Sequence, residues 1–259
     1  MHFVTLTSDW NKDDYYTGAV IGSILSSCND VQVITLSNSI RSYSVSEAAF
    51  IVRNSCYHFP KGSVHIIAVG SEYAPECQLL AAKIDGHYFL TADNGILGLL
   101  GDAESSEVIA IARSDDSAAK SFPAYSYFSK IACRIIQGEP FSKLGTPAND
   151  VKKQVPLRAT LDNNTITGAV IYIDSYGNAI TNITRELFDR FGQERKFIIY
   201  VQSKHYKISR LNSYYSETTG GDLLALFNSI DLLEIAIRNG SARDLLNLNT
   251  DSTIRIEFK

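Results

Sequence analysis

The chain has 259 residues, 45% hydrophobic and 20% charged, which is the balance of an ordinary globular protein and excludes disordered, collagen-like and low-complexity classes. At about 150 residues per domain, the length fits one large or two modest domains. Twenty-four Lys and Arg against 28 Asp and Glu give a formal charge of −4, which argues against a nucleic-acid partner.

Residues 3–7 form a short β-rich run ending at Ser8-Asp9-Trp10. Asp13 or Asp14 then opens a helical stretch to about Cys28, with Ala19, Val20, Ile24 and Leu25 on its apolar face. Residues 31–36 read as the next strand. Ser44 stands three residues before Glu47, the spacing of a capping box, ahead of a helix through Ala48, Ile51, Val52 and Cys56. Phe59-Pro60-Lys61-Gly62 breaks that helix, and residues 64–69 are apolar enough for a buried strand. Asp85-Gly86 marks a hairpin between residues 79–84 and 87–91. A strand at 108–112 and a helix at 125–137, ended by Gly138 and Pro140, complete this part. Strands interleaved with helices predict a mainly parallel sheet covered on both faces, an α/β sandwich domain over residues 1–150.

Residues 140–160 have linker composition, with Pro140, Pro147 and Pro156 and a Lys-Lys pair. Beyond them, residues 160–259 carry strands in quick succession at 165–173, 197–202, 205–210, 223–227, 233–237 and 253–258. Short helices are expected at 185–191, capped by Thr184, and at 242–246. This predicts an antiparallel, barrel-like β domain.

No apolar run reaches the ~18 residues of a membrane span, and the start MHFVTLTSDW lacks the pattern of a leader. Cys28, Cys56, Cys77 and Cys133 form no CxxC pair and no zinc spacing, and a disulfide framework is not expected at this size. The expectation is a soluble, reduced, cytoplasmic protein with no membrane partner. None of the five histidines forms an HxxxH or HxH pair, so no metal is expected.

Open α/β sheets bind ligands beyond the carboxyl ends of their strands, which makes Asp9 the first candidate. Its carboxylate can accept both hydrogen bonds of a sugar diol, or it can cap the helix that follows. Asp93-Asn94-Gly95 reads as an Asx-type turn or as a carboxylate and amide offered to a ligand. Asp174-Ser175-Tyr176-Gly177-Asn178 places a carboxylate, a ring and an amide together after a strand. Arg238-Asn239-Gly240-Ser241 suits an acceptor-rich planar ligand such as a purine, or supplies a helix N-cap at Ser241.

Together these segments resemble the S-adenosylmethionine hydroxide adenosyltransferase family, which also contains fluorinases and chlorinases. The anchors are residues 5–9 with 15–19, 46–50, 59–65, 85–89 with 93–95, 172–183 and 225–242. The resemblance implies a homotrimer with sites between one subunit's N-terminal domain and its neighbour's C-terminal domain. It implies displacement at the ribose 5′ carbon of S-adenosylmethionine, giving adenosine and methionine when water is the nucleophile. No further cofactor is implied, S-adenosylmethionine being substrate or ligand. By position, Asp9 resembles the ribose-diol carboxylate and Trp10 the aromatic beside it. Asp174 and Asn178 resemble residues holding the methionine moiety, and Tyr176 a ring on the adenosyl group. Arg238 and Gly240 match the adenine-contacting segment, and Ser229 the serine before an aromatic gate.

The departures concern catalysis. Where the family carries an Asp, an Arg and a His for water activation, this chain has Gly70, Cys77 and Pro123. Leu232 stands at the gate aromatic and Asp231 at the glycine before it. Glu72, Glu76, Cys77, Tyr125 and Ser126 are the side chains nearby that could substitute. Three lost activators beside retained ligand-holding residues favour an adenosyl-binding protein with little chemistry. An S-adenosylmethionine hydrolase with a non-standard activator is the alternative, and a structural trimer the third reading. Nothing indicates a halide site.

Overall fold

The computed structural model describes residues 1–72, 74–101, 107–113 and 120–259. The chain divides into two units, Met1–Pro156 and Leu157–Lys259.

In the first unit the described strands are β1 (His2–Ser8), β2 (Val31–Ser37), β3 (Val64–Ala68), β4 (Leu79–Ile84), β5 (His87–Ala92), β6 (Glu107–Ile111) and β7 (Gly145–Pro147). They form one sheet in the order β2-β1-β3-β5-β4-β6-β7. Pairing is parallel through β2, β1, β3 and β5, then antiparallel from β5 to β7. The Asp85-Gly86 turn, both residues at positive φ, folds β4 back on β5 and so makes the sheet mixed. Alternation along the strands feeds two cores. Val4, Leu6 and Ile66 pack with Val20 and Ile24 of α1 (Tyr15–Ser27) and Ile131 and Ala132 of α4 (Ser129–Ile136). Ile67, Leu80 and Phe89 pack on the other face with α2 (Val45–Arg53) and α3 (Ile96–Leu100). Each fully buried Ile or Phe is worth about 1.5–3 kcal/mol of apolar burial.

Three local expectations are revised. Ser44 heads α2 at ψ 84°, outside the extended geometry typical of a capping residue, and makes no side-chain cap, while Glu47 bonds the Arg41 guanidinium at 2.7 Å. The predicted helix 125–137 begins as a π-helical turn, Ala124–Phe128, after Pro123, and becomes α-helical only at α4. Cys28 and Cys133, expected to be reduced, are joined by a disulfide with Cα atoms 5.6 Å apart. Their separation of 105 residues hid the fact that α1 and α4 lie side by side.

Residues 140–156 belong to this unit. They contain a 3₁₀ turn, Phe141–Lys143, then β7, and a strap whose Lys152 N–H and Gln154 amide bond the Asp93–Asn94 turn.

In the second unit the described strands are β8 (Thr160–Asp162), β9 (Thr165–Ile173), β10 (Ala179–Thr184), β11 (Phe197–Val201), β12 (Ser203–Ile208), β13 (Leu223–Phe227), β14 (Leu232–Ile237) and β15 (Thr253–Phe258). They form an antiparallel sheet in the order β12-β11-β15-β9-β10-β14-β13, with β8 added to β9. Asn212 N–H donates to Ala225 O at 2.8 Å, carrying the chain from β12 onto β13 so that the barrel nearly closes. Both expected helices form, α5 (Arg185–Gly192) and α6 (Ala242–Leu246). Thr184 Oγ1 caps the first at Leu187 N and Ser241 Oγ the second at Asp244 N, each at 3.1 Å. Among the described residues no helix is long and apolar enough to cross a membrane.

Candidate ligand site

Asp9 follows β1 at the carboxyl end of the parallel strands, yet it caps no helix, since α1 starts at Tyr15 behind Asp14. Its Oδ2 accepts the backbone N–H of Tyr43 at 2.9 Å and of Gly70 at 3.2 Å. One carboxylate oxygen therefore joins the loops that follow β1, β2 and β3. Oδ1 accepts none of the hydrogen bonds seen among the described residues. Tyr43 and Gly70 both hold positive φ, 64° and 52°. The exposed Tyr43 hydroxyl donates to Glu72 Oε1 at 2.7 Å, and the Glu72 carboxylate holds that phenol above its ordinary value.

Trp10 turns into an aromatic cluster, 5.2 Å from Phe122 and 5.8 Å from Tyr16 between ring centroids. Tyr125 stacks on Phe122 at 5.8 Å. A cleft of about 580 Å³ lies between these rings and α1, lined by Tyr15, Ala19, Gly22, Ser26, Phe122 and Tyr125. Cys77 is half-buried, its Sγ 3.7 Å from the carbonyls of Gln78 and Asp93. The Asp93–Gly95 segment is the Asx-type turn that its sequence suggested. Asn94 Oδ1 accepts Ile96 N–H at 3.2 Å, and Gly95 sits at φ +93. Asp93, buried, accepts Lys152 N–H on Oδ1 at 2.9 Å, which ties the turn to the strap.

Two of the five histidines, His65 and His87, are buried together. His65, fully buried, bonds Thr5 Oγ1 at 2.7 Å and His87 Nδ1 at 3.1 Å. Burial, with His87 nearby, pushes the His65 pKa down to about 3.

In the second unit, Asp174 organises the β9–β10 loop. Its Oδ1 accepts Tyr176 and Asn178 N–H, both at 2.9 Å, and its Oδ2 accepts the Asn178 amide at 3.0 Å. Tyr176 is left 78% exposed at the loop tip. Gly177, at φ +79, lies flat against Ser241, and its carbonyl accepts Arg243 N–H at 2.9 Å. Asp174, Tyr176, Asn178, Gly240 and Ser241 therefore share one end of the barrel. The Arg238 guanidinium reaches the same region but donates to Thr218 O and to Ser216 O, holding the loop 213–218. Ser229 is not with them. It lies in the β13–β14 turn, at the opposite end of a hairpin whose other end pairs Leu223 with Ile237. Asp231 beside it is ion-paired with Arg185 at 2.8 Å.

Three residues of these clusters, Tyr43, Glu234 and Tyr215, are not singled out by sequence. Tyr43 has no local signal, because nothing in its neighbourhood announces a positive φ. Glu234 has one, a single charge inside the apolar run LLEIAI. It is buried in β14, accepting Tyr215 Oη at 2.6 Å and the Asn228 amide at 3.2 Å. Burial, the Glu234 bond and the nearby Asp174 push the Tyr215 phenol up.

The pairing of a mixed α/β unit having a carboxylate beyond β1 with a nearly closed β-barrel defines a class of two-unit proteins. Similarity to known proteins then specifies it. Residues 4–145 match the model of the SAM hydroxide adenosyltransferase N-terminal domain, and residues 168–255 that of its C-terminal domain. The chain belongs to the SAM hydroxide adenosyltransferase family. An (R)-S-adenosyl-L-methionine hydrolase of Methanocaldococcus jannaschii is 24% identical, with 100% of this chain and 97% of that protein covered. One from Thermus thermophilus is also 24% identical, over 99% and 100% of the two chains. The fold is shared with an uncharacterized conserved protein from Thermotoga maritima, with a TM-score of 0.87 and 20% identity over 98% of this chain and 99% of that one. The structure of a conserved hypothetical protein from Thermus thermophilus gives a TM-score of 0.78 and 22% identity over 99% and 100% of the two chains.

Proposed function

We propose that this protein binds S-adenosylmethionine or a close adenosyl relative, and lacks the family's usual means of activating water. Family membership over both units is the observation that carries the reading. The Asp9 carboxylate supports it, with one oxygen anchored by backbone and the other available to a ribose hydroxyl. Asp174 and Asn178, with the exposed Tyr176 ring, are the groups proposed to meet the methionine and adenosyl parts. The relatives' names specify (R)-S-adenosyl-L-methionine, so that epimer is the first candidate ligand and the other its comparison.

Gly70 and Pro123 carry no group that titrates, and the Cys77 thiol points at two carbonyls. Losing a positioned base costs a factor of about 10²–10⁴ in rate. We further propose a homotrimer, with Asp9 of one subunit and Asp174 of a neighbour at each site. Titration calorimetry with each epimer, alongside light scattering, tests both points. Saturable binding to a particle of three protomer masses supports the reading. Absence of binding to a folded trimer would leave a purely structural role.

A further inference from the structure

We propose that Glu72 has taken over the water-activating carboxylate that the family resemblance puts at position 70, and that Tyr43 orients it. This rests on the S-adenosylmethionine reading above.

The geometry begins at Gly70. A Cβ built there meets nothing closer than the Asn94 amide nitrogen at 3.8 Å and Tyr43 Cα and Cδ1 at 3.9 Å. A Cβ at position 70 would thus sit in ordinary contact with the Tyr43 ring and the Asn94 amide without a clash, although its φ of +52° is one that side chains rarely adopt. Glu72 is bonded to the other end of the same ring, its Oε1 2.7 Å from Tyr43 Oη. Being one methylene longer than Asp and two residues downstream, Glu72 can bring a carboxylate to the neighbourhood that Gly70 gave up. Tyr43 is itself fixed, since its N–H shares Asp9 Oδ2 with Gly70 N–H. Glu72, Tyr43, Asp9 and Gly70 therefore form one hydrogen-bonded set, with Asp9 as the residue assigned to the ribose.

The other side chains that could substitute are placed less well. Cys77 directs its thiol to the carbonyls of Gln78 and Asp93. Tyr125 stacks on Phe122 at the α1 cleft. No hydrogen bond ties Glu76 or Ser126 side chains to Asp9 among the described residues.

In the proposed step, a water oxygen forms a bond to the ribose 5′ carbon as the C5′–S bond breaks. The bonding pair leaves with the sulfur of methionine, which becomes a neutral thioether. The water proton passes to the Glu72 carboxylate and then to solvent. Adenosine, methionine and a proton account for all atoms and charge. The sulfonium is already a good leaving group, so a single oriented base suffices.

The test measures adenosine release by chromatography and S-adenosylmethionine binding by calorimetry on the same preparations. Wild type is expected to turn over. Glu72→Gln, a change on an exposed loop, is expected to lower kcat about 100-fold or more with Kd within twofold. Adding Gly70→Asp to that variant is expected to recover at least tenfold, Asp being among the side chains most often found at positive φ. Gly70→Asn in the same background is expected to recover nothing. Tyr43→Phe is expected to lower kcat while leaving Kd unchanged. Binding without turnover by wild type would overturn the inference and leave the binding reading standing, whereas absence of binding would overturn both. Full activity in Glu72→Gln would overturn it, as would a folded, ligand-binding Glu72→Gln, Gly70→Asp variant that stays inactive.

Discussion

Gly70 donates its backbone N–H to the Asp9 carboxylate at 3.2 Å, although 61 residues separate them. Tyr43 N–H occupies the same oxygen. The carboxylate that the ligand reading needs is therefore also the tie that gathers three loops at the end of the sheet. Asp9→Ala leaves two N–H groups without their acceptor. At this half-exposed position, a stability loss of about 1 kcal/mol is expected in urea unfolding. An unchanged midpoint would show that the tie adds nothing to stability.

The buried pair His65 and His87 makes the first unit acid-sensitive. His65 titrates near 3 when folded, and His87 is also lowered, chiefly by burial. The unfolded chain, with histidines near 6.5, binds more protons below that pH. Stability is therefore full above about pH 6.5 and is lost as pH falls toward 3. Urea midpoints are expected to drop steadily from pH 7 to pH 4, and to drop less in His65→Gln. Identical slopes in the two proteins would contradict this assignment.

The Cys28–Cys133 disulfide spans a sequence separation of 105 residues, joining the C-terminal end of α1 to the middle of α4. Disulfides typically stabilise by about 2–4 kcal/mol, with long loops toward the upper end. Oxidised protein is expected to melt several degrees above the Cys28→Ala, Cys133→Ala variant, and mass spectrometry to show a loss of two hydrogens. Two free thiols in protein kept from reductant would contradict the bond.

Gly177 serves by having no side chain, since it holds φ +79 and a Cβ there would collide with Ser241. Gly177→Ala is expected to cost about 1–3 kcal/mol of stability. It should also separate the Asp174 loop from α6, weakening S-adenosylmethionine binding. Thermal unfolding and calorimetry check both effects, and wild-type behaviour in each would show that the loop tolerates the change.

What was legible in the sequence was local. The helix caps at Thr184 and Ser241, the Asp85-Gly86 hairpin and the Asx turn at Asn94 each depend on residues a few positions apart, and each formed as read. The Ser44–Glu47 box was equally local but did not form: Ser44 lies outside the extended geometry of a cap, and Glu47 pairs with Arg41. The contacts that give the candidate site its shape are long-range. Tyr43 on Asp9, Arg238 on the 216–218 carbonyls and Tyr215 on Glu234 depend on loops converging after the sheets form. Periodicity carries no information on which backbone amide will find which carboxylate.

Of the residues proposed to hold the ligand, Asp9 is the one assigned to the ribose. The decisive experiment is calorimetric titration of S-adenosylmethionine, as each sulfonium epimer, into wild type and Asp9→Asn. Saturable binding of one ligand per chain is expected for wild type. At least a tenfold loss is expected in the variant, equivalent to about 1.4 kcal/mol. No heat with either epimer, or equal affinity in the two proteins, would refute Asp9 as the adenosyl anchor.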